Sequence, residues 1–481
     1  MRPLEAILLV SNLACSASIV LGSRGRTPAG RVFFLLPFGA AALQIVLEGY
    51  RWQMAPAYLG VLISFFALSR WPKPNLRMVW GGTGLLLSAV CFFVAGLIYP
   101  VFSFPPLTGP YAVGTTTRYL VDPNRRETHA GAPKGNRELM IQLWYPAQVK
   151  PREKFADYVE PRMAGRRNAQ LALVKTRSLL DAPVLQRDRA FPVVLFSPAI
   201  GGSRYQNTFQ MEELASHGFV VVGMDHPYSS ANVVFPDGRR VRIAIEFLDL
   251  SSLEKLREST RLLEQDLAVR VADAAFVADT LTQWNRTDPA GRFTGRLNTE
   301  AFGIIGHSYG GAVAAALCRQ DSRFVAGMNL DGWMFGDAEE LGIERPFFFV
   351  LDDEPAPTLA DLNSFDPARR TLFERIKEGL DAVDHSLRAH GGYFLALSGA
   401  AHFSYTDRTL YSKLRRFGDQ GTADPHFLLE ELNRYTVAFF VKYLYGQRQP
   451  LLDSASPTPS GVTFRAFEGP HTTLTQLGSS R

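Results

Sequence analysis

The sequence predicts an α/β protein, a mostly parallel sheet flanked by helices, carried behind an all-α membrane-spanning region. Three observations predict it. From about residue 105 to 445, continuous apolar runs of strand length alternate with helix-forming stretches, the pattern of parallel strands buried on both faces. One of those runs ends in Gly306-His307-Ser308-Tyr309-Gly310 and is followed by the small-residue run Ala312–Leu317. Residues 1–103 differ in composition and hold four apolar stretches.

At 481 residues the chain is too long for one ordinary core. Its composition divides it into a membrane region at 1–103, a catalytic α/β domain at 104–450 and a tail at 451–481 rich in Ser, Pro and Thr. The net charge of +5 with 20% charged residues carries no polyanion signal, and no basic stripe interleaves with aromatics, which excludes nucleic-acid binding. Cys15, Cys91 and Cys318 lie far apart in apolar runs, so neither a disulfide framework nor a metal site is expected.

In the first region, Leu4–Gly22 is apolar except for Glu5 and Val32–Leu47 except for Gln44. Ala55–Ser69 is shorter, and Met78–Phe102 has no charge. A span needs about 20 such residues. The first stretch reads as a retained span because its leading Arg2 is offset by Glu5 and more apolar segments follow. Arg24, Arg26 and Arg31 fill the first loop and Arg70, Lys73 and Arg77 the third. The positive-inside rule puts those loops in the cytoplasm. The N-terminus and everything after residue 103 then lie outside, provided that Ala55–Ser69 crosses.

The second region opens with a strand pair over Leu107–Asp122 and an alternating strand at Glu138–Tyr145. Residues 149–190, rich in Arg and Lys, are expected outside the core sheet. Phe191–Ser197 is a buried strand followed by the Gly-rich turn Pro198–Arg204. A helix at Gln210–His217 stops at Gly218, and the next strand is Phe219–Met224. Leu253–Trp284 reads as one or two amphipathic helices. Further strands follow at Phe324–Leu330, Arg345–Leu351 and Gly392–Leu397, with a polar, helix-forming insertion at Glu354–His390 placed to shape a pocket mouth. Pro425–Tyr445 closes the domain as a helix.

In such sheets the chemistry gathers at the carboxyl ends of the strands. By composition alone G-x-S-x-G arises in roughly one chain in seven of this length, so its context carries the argument. Here an apolar strand precedes it and a small-residue helix follows, the setting of a nucleophile elbow. Glycines at 306 and 310 allow a sharp turn that lifts the Ser308 hydroxyl to the start of a helix. There the Tyr309 N–H can meet a developing oxyanion, and Ile200 in the turn after Phe191–Ser197 is the candidate second donor. A serine needs a base, and the base an orienting acid. His402 follows the last strand and is the candidate base. His226 precedes the serine, His307 adjoins it, and His385 and His390 lie in the polar insertion. Asp331, at the end of the strand after the nucleophile helix, is the favoured acid, with Asp352 and Asp353 as the alternative.

Phe196–Arg204, Ala215–Val220, Gly306–Ala312, Asn329–Met334, Gly399–His402 and the opening Leu107–Gly114 resemble, in order, the platelet-activating factor acetylhydrolase family of the plasma and intracellular lipase-like type. The resemblance covers about residues 105–445. It implies an α/β-hydrolase fold with a Ser308, Asp331, His402 triad, oxyanion donors at Ile200 and Tyr309, and neither cofactor nor metal. It also implies phospholipids with short or oxidised acyl chains as substrates. Pro198-Ala199 stands where that family has His-Gly, and the N-terminal spans are additional to it. The expected protein is thus a membrane-anchored serine ester hydrolase facing an ester or phospholipid substrate from the outer side of a bilayer. The rival readings are a catalytically silent binding domain, and an acyltransferase or peptidase using the same triad.

Overall fold

The computed structural model describes residues 1–22, 27–129, 131–245, 249, 251–414, 419–453 and 458–469. Arg24 and Arg26 of the loop-charge argument, and most of the tail, lie outside the described residues. The chain forms two units. The first comprises residues 1–104, 157–176 and 410–418, and the second residues 105–156, 177–409 and 419–481.

The first unit is built on four helices, α1 (Pro3–Val20), α2 (Pro28–Leu43), α3 (Ala55–Ser69) and α4 (Pro74–Cys91). Wider π-type turns prolong α2 through Glu48 and α4 through Ile98. Four helical stretches, Pro3–Val20, Ala29–Glu48, Trp52–Ser69 and Pro74–Ile98, are long and apolar enough to cross a membrane. Their burial is inverted relative to a water-soluble bundle. Glu5, Asn12, Gln44, Arg51 and Gln53 are fully buried, while Val10, Val32, Phe38, Leu62, Phe66 and Leu86 are exposed. The Arg51 guanidinium donates to both oxygens of Glu5 at 2.7 and 2.8 Å and to the Ala95 carbonyl at 3.0 Å, so the buried charges satisfy each other. Close approach of α1 and α4 needs small residues, since a Cβ on Gly84 would lie 2.1 Å from Ser16 Oγ. Residues 157–176 and 410–418 join this unit, Gln170 accepting from Gln53 at 2.9 Å and the Lys413 N–H donating to Leu97 O at 2.8 Å.

The second unit centres on the sheet. In chain order its elements are β1 (Val113–Arg126), β2 (Asn136–Pro146), β3 (Phe155–Asp157), β4 (Lys175–Leu180), β5 (Phe191–Ser197), α5 (Thr208–Ser216), β6 (Val220–Asp225), β7 (Asn232–Val234) and β8 (Arg240–Arg242). There follow α6 (Leu253–Arg286), β9 (Leu297–His307), α7 (Tyr309–Gln320), β10 (Phe324–Leu330), α8 (Asp337–Leu341), β11 (Phe347–Leu351), α9 (Leu359–Leu362), α10 (Pro367–His390), β12 (Gly392–Leu397), α11 (Pro425–Leu444) and β13 (Val462–Phe467). The strand order is β13-β12-β11-β10-β9-β5-β6-β2-β1-β4-β3, with β7 and β8 as a separate hairpin. The six strands β12 to β6 in that order are mutually parallel, and β2 and β13 flank them antiparallel. Every residue of β5 and β6 is buried, as their apolar runs require.

Three expectations change. Of Leu107–Asp122, expected as a strand pair, only the part from Val113 on is strand, and it belongs to the single strand β1, paired with β2. Residues 149–190, expected outside the sheet, supply two of its strands, β3 (Phe155–Asp157) at the edge and β4 (Lys175–Leu180), which is parallel to β1. Lys175 and Arg177 mark the exposed positions of β4, and the intervening Thr176 and Ser178 are buried without being apolar, so the strand period is hidden. Residues 462–467, assigned to the tail, add the edge strand β13 beside β12.

Candidate active site

The turn between β9 and α7 holds Ser308 at φ +55°, ψ −124°, the left-handed region that an L-residue occupies only under constraint. The constraint is the close passage of backbone on both sides. A Cβ on Gly306 would lie 1.8 Å from Gly310 O, and one on Gly310 would lie 1.9 Å from Ser197 O. Alanine at either position is expected to cost about 3 kcal/mol or more, because backbone rather than a mobile side chain would have to move. Thermal unfolding of Gly306→Ala and Gly310→Ala measures that loss.

The structure brings Ser308, Asp331 and His402 together. The hydroxyl of Ser308 lies 3.0 Å from His402 Nε2, and His402 Nδ1 lies 2.6 Å from Asp331 Oδ2. With Nδ1–H donating to a carboxylate, Nε2 is the ring's acceptor and can take the serine proton. Asp331 sits just past β10, also in the left-handed region at φ +55°. Its N–H donates to Val350 O at 2.7 Å, and its Oδ1 accepts from the Asp352 N–H at 2.9 Å, so both carboxylate oxygens have partners. Gly332 follows because a Cβ there would lie 2.0 Å from Ser308 O. Of the alternative acids, Asp353 accepts from Gly399 N at 2.9 Å, and Asp352 meets Asp331 through its backbone N–H while also lining the pocket. Burial, and then the charge of Asp331, push the Asp352 carboxyl up to about 7.

Tyr309 is the first residue of α7, where a helical N–H has no intrahelical acceptor. Ile200 lines the same pocket. Its neighbours are engaged, Gly201 N–H with Ser229 O at 2.8 Å and Gly202 N–H with Ala199 O at 2.9 Å. Among the described residues the Ile200 N–H has no protein acceptor. Behind this turn lies the fully buried Arg270, which donates to Pro198 O at 2.8 Å and to Ser229 Oγ at 2.9 Å, and lies over the Tyr309 ring at 4.8 Å. One guanidinium therefore touches both elements that carry candidate oxyanion donors. Nothing local in the sequence marks Arg270, which is some seventy residues away from the turn it holds.

Three of the other histidines, His226, His307 and His390, have structural partners. Ser197, His226 and Asp273 form a second hydroxyl–imidazole–carboxylate chain, at 3.1 and 3.0 Å, but all three side chains are fully buried and no substrate reaches them. Arg125 and Arg137 donate to Asp273, and against the cost of burial the charge of Arg137 and the bonds from His226 and Arg137 hold its carboxyl well below the ordinary range. His390 bonds to Leu341 O at 2.9 Å at the end of α10.

His307 was set aside as a base, and the structure shows what it does instead. Its Nε2–H donates to the backbone carbonyl of His402 at 2.8 Å, and its Nδ1 accepts from the Gln206 amide at 2.7 Å. A carbonyl can only accept, so the tautomer is determined and the ring is neutral. Burial, and then the nearby His402 ring, push this imidazole down from 6.5 to about 3. The folded-state value lies below the unfolded one, so the unfolded chain takes up the proton first. Stability is therefore expected to fall as pH drops from about 6.5 towards 3, by up to roughly 4 kcal/mol from this group. Thermal unfolding between pH 7 and pH 4 measures it, and His307→Asn should flatten the curve.

In front of Ser308 opens a pocket of about 550 Å³. The polar insertion supplies one wall, since α10 presents Phe373, Ile376, Leu380 and Val383, at helical spacing, to the cavity. Trp333 and Phe335 after β10, and Phe403 beside the candidate base, add aromatic surface. Among the described residues no cluster of His, Cys, Asp and Glu could hold a metal ion.

Comparison with known proteins agrees with this architecture. A profile of the family described as platelet-activating factor acetylhydrolase, isoform II, matches residues 99–451. The platelet-activating factor acetylhydrolase of Cavia porcellus is 24% identical over 380 residues, covering 71% of this chain and 78% of its own. A probable 1-alkyl-2-acetylglycerophosphocholine esterase of Arthroderma benhamiae is 26% identical over 281 residues, 54% of this chain and 66% of that protein. For the latter, the match spans just under two thirds of the relative's length. Among solved structures, a ferulic acid esterase from Streptomyces cinnamoneus matches with a TM-score of 0.58 and 26% identity, covering 76% of this chain and 99% of the other. Strand order, helical cover and sequence agree: the chain belongs to the platelet-activating factor acetylhydrolase, isoform II, family, with the fold of the α/β-hydrolases.

Proposed function

We propose that the protein is a membrane-anchored serine hydrolase that cleaves short-chain or oxidised acyl esters, those of phospholipids included, through an acyl-enzyme. Family membership makes it a carboxylic ester hydrolase. The single observation that carries the serine mechanism is the hydrogen-bonded chain Ser308–His402–Asp331 at 3.0 and 2.6 Å. In that mechanism His402 takes the proton as Ser308 attacks the ester carbonyl, and Asp331 holds the imidazole in the productive tautomer and stabilises its charged form. The N–H groups of Tyr309 and Ile200 receive the oxyanion. His402 then protonates the departing alcohol, and a water activated by the same imidazole releases the acyl group.

Membrane anchoring is supported by the four apolar helices and by their exposed apolar and buried polar side chains. The loop charges support an extracytoplasmic hydrolase unit. A second acyl class, aromatic, is favoured by the rings of Trp333, Phe335, Phe373 and Phe403 on the pocket wall and by the solved neighbour's description as a ferulic acid esterase.

The test is a panel of 4-nitrophenyl esters graded from acetyl to lauroyl, with feruloyl ester and matching anilides alongside, given to the detergent-solubilised full chain. Ester turnover peaking at short acyl groups and exceeding amide turnover by orders of magnitude is expected. Folded protein that cleaves no ester overturns the proposal, and anilides cleaved as fast as esters point to a peptidase.

A further inference from the structure

The pocket in front of Ser308 has a one-sided charge inventory. Asp331, Asp352 and Glu354 line it, and among the described residues no Lys or Arg does. Asp331 is committed, one oxygen to His402 and the other to the Asp352 N–H. That leaves two carboxyl groups, on one short segment after β11, facing whatever enters. Three basic side chains that touch wall residues from outside have partners of their own, the buried Arg270 behind Tyr309 being held by Pro198 O and Ser229. Arg375 lies over Trp333 and Phe335 at 5.1 and 5.5 Å and donates to Glu339 and to Met334 O. Arg408 lies over Phe403 at 3.8 Å and donates to Asp419.

We infer that this pocket takes uncharged acyl groups and rejects those ending in a carboxylate, with Asp352 and Glu354 as the specificity-determining residues. The inference rests on the hydrolase reading of the preceding section. A carboxylate that leaves water for a largely apolar cavity needs a cation or several donors to replace its hydration. Here it meets the Glu354 carboxylate and, above about pH 7 where it ionises, that of Asp352, which disfavours binding without any steric clash. The site is already inhospitable to a second anion of its own, since the Asp352 carboxyl is pushed up to about 7. The consequence divides oxidised acyl chains into two kinds. Those ending in an aldehyde or hydroxyl fit the aromatic and aliphatic walls, and those oxidised to the acid do not.

Two substrates of equal acyl length isolate the effect, mono-4-nitrophenyl adipate and its methyl ester, which differ in terminal charge and one methyl group. Release of nitrophenolate by the solubilised full chain gives kcat/KM for each, and 4-nitrophenyl butyrate is the control. The methyl ester is expected to be preferred at least tenfold. Glu354→Lys and Asp352→Asn are each expected to shrink that preference at least threefold, and the ratio is internally normalised against any loss of overall rate. Glu354 is exposed, so its variant keeps the test available if Asp352→Asn fails to fold. Equal turnover of the two esters by the unaltered protein overturns the inference, as does a preference that persists undiminished in the variants. If butyrate too is left intact, the hydrolase reading itself has failed, and the control distinguishes that case.

Discussion

Ser308→Ala is expected to lower kcat for ester hydrolysis by roughly 10^4- to 10^6-fold and to leave the fold unchanged. The hydroxyl is the only atom removed, and its structural partner is His402 at 3.0 Å. The turn itself is held by backbone, Ser308 N–H to Leu330 O and Gly311 N–H to Ser308 O, both at 2.8 Å. Alanine at φ +55° bears the same strain as serine. Circular dichroism and thermal unfolding should therefore match the parent while turnover of 4-nitrophenyl butyrate disappears. Activity within tenfold of the parent would mean that some other group performs the attack.

Asp331→Asn is expected to cost about 10^4-fold in kcat with little change in KM. The carboxylate accepts from His402 Nδ1 at 2.6 Å, whereas an amide group there can turn its NH2 towards the ring. Nδ1 would then be the acceptor and Nε2 the protonated atom, which is the wrong tautomer for taking the serine proton. Asparagine tolerates the left-handed backbone at this position better than most residues, so the loss reports chemistry rather than folding. The comparison with Asp352→Asn is informative, since Asp352 follows the adjacent strand. The geometry predicts a loss at least a hundredfold smaller for Asp352→Asn. The reverse order would assign the orienting role to Asp352.

The elements nearest the chemistry were the most legible. β5, β10 and β12 occupy the ranges that their largely apolar runs mark, as strands covered on both faces require. The elbow was legible because its glycines answer a local steric demand. The acid could be narrowed to Asp331 against Asp352 and Asp353 but not resolved from spacing, since all three follow the ends of adjacent strands. What escaped reading depends on distant parts of the chain. β4 alternates in burial with Lys and Arg outward, and β13 is a single edge strand supported by β12. Residues 157–176 and 410–418 join the helical unit through contacts more than a hundred residues apart in sequence, such as Gln53 with Gln170 and Leu97 with Lys413. His307 and Arg270 are likewise invisible without coordinates, because their roles consist of reaching carbonyls in other loops.

The central claim is that folding makes one hydroxyl in this chain a nucleophile. Reaction of the solubilised full-length protein with a fluorophosphonate probe, followed by peptide mass spectrometry, tests it most directly. One phosphonylated residue, Ser308, is expected, with labelling lost in His402→Ala and slowed by a competing short-chain ester. Labelling of a different residue, or none in protein shown to be folded, would contradict it.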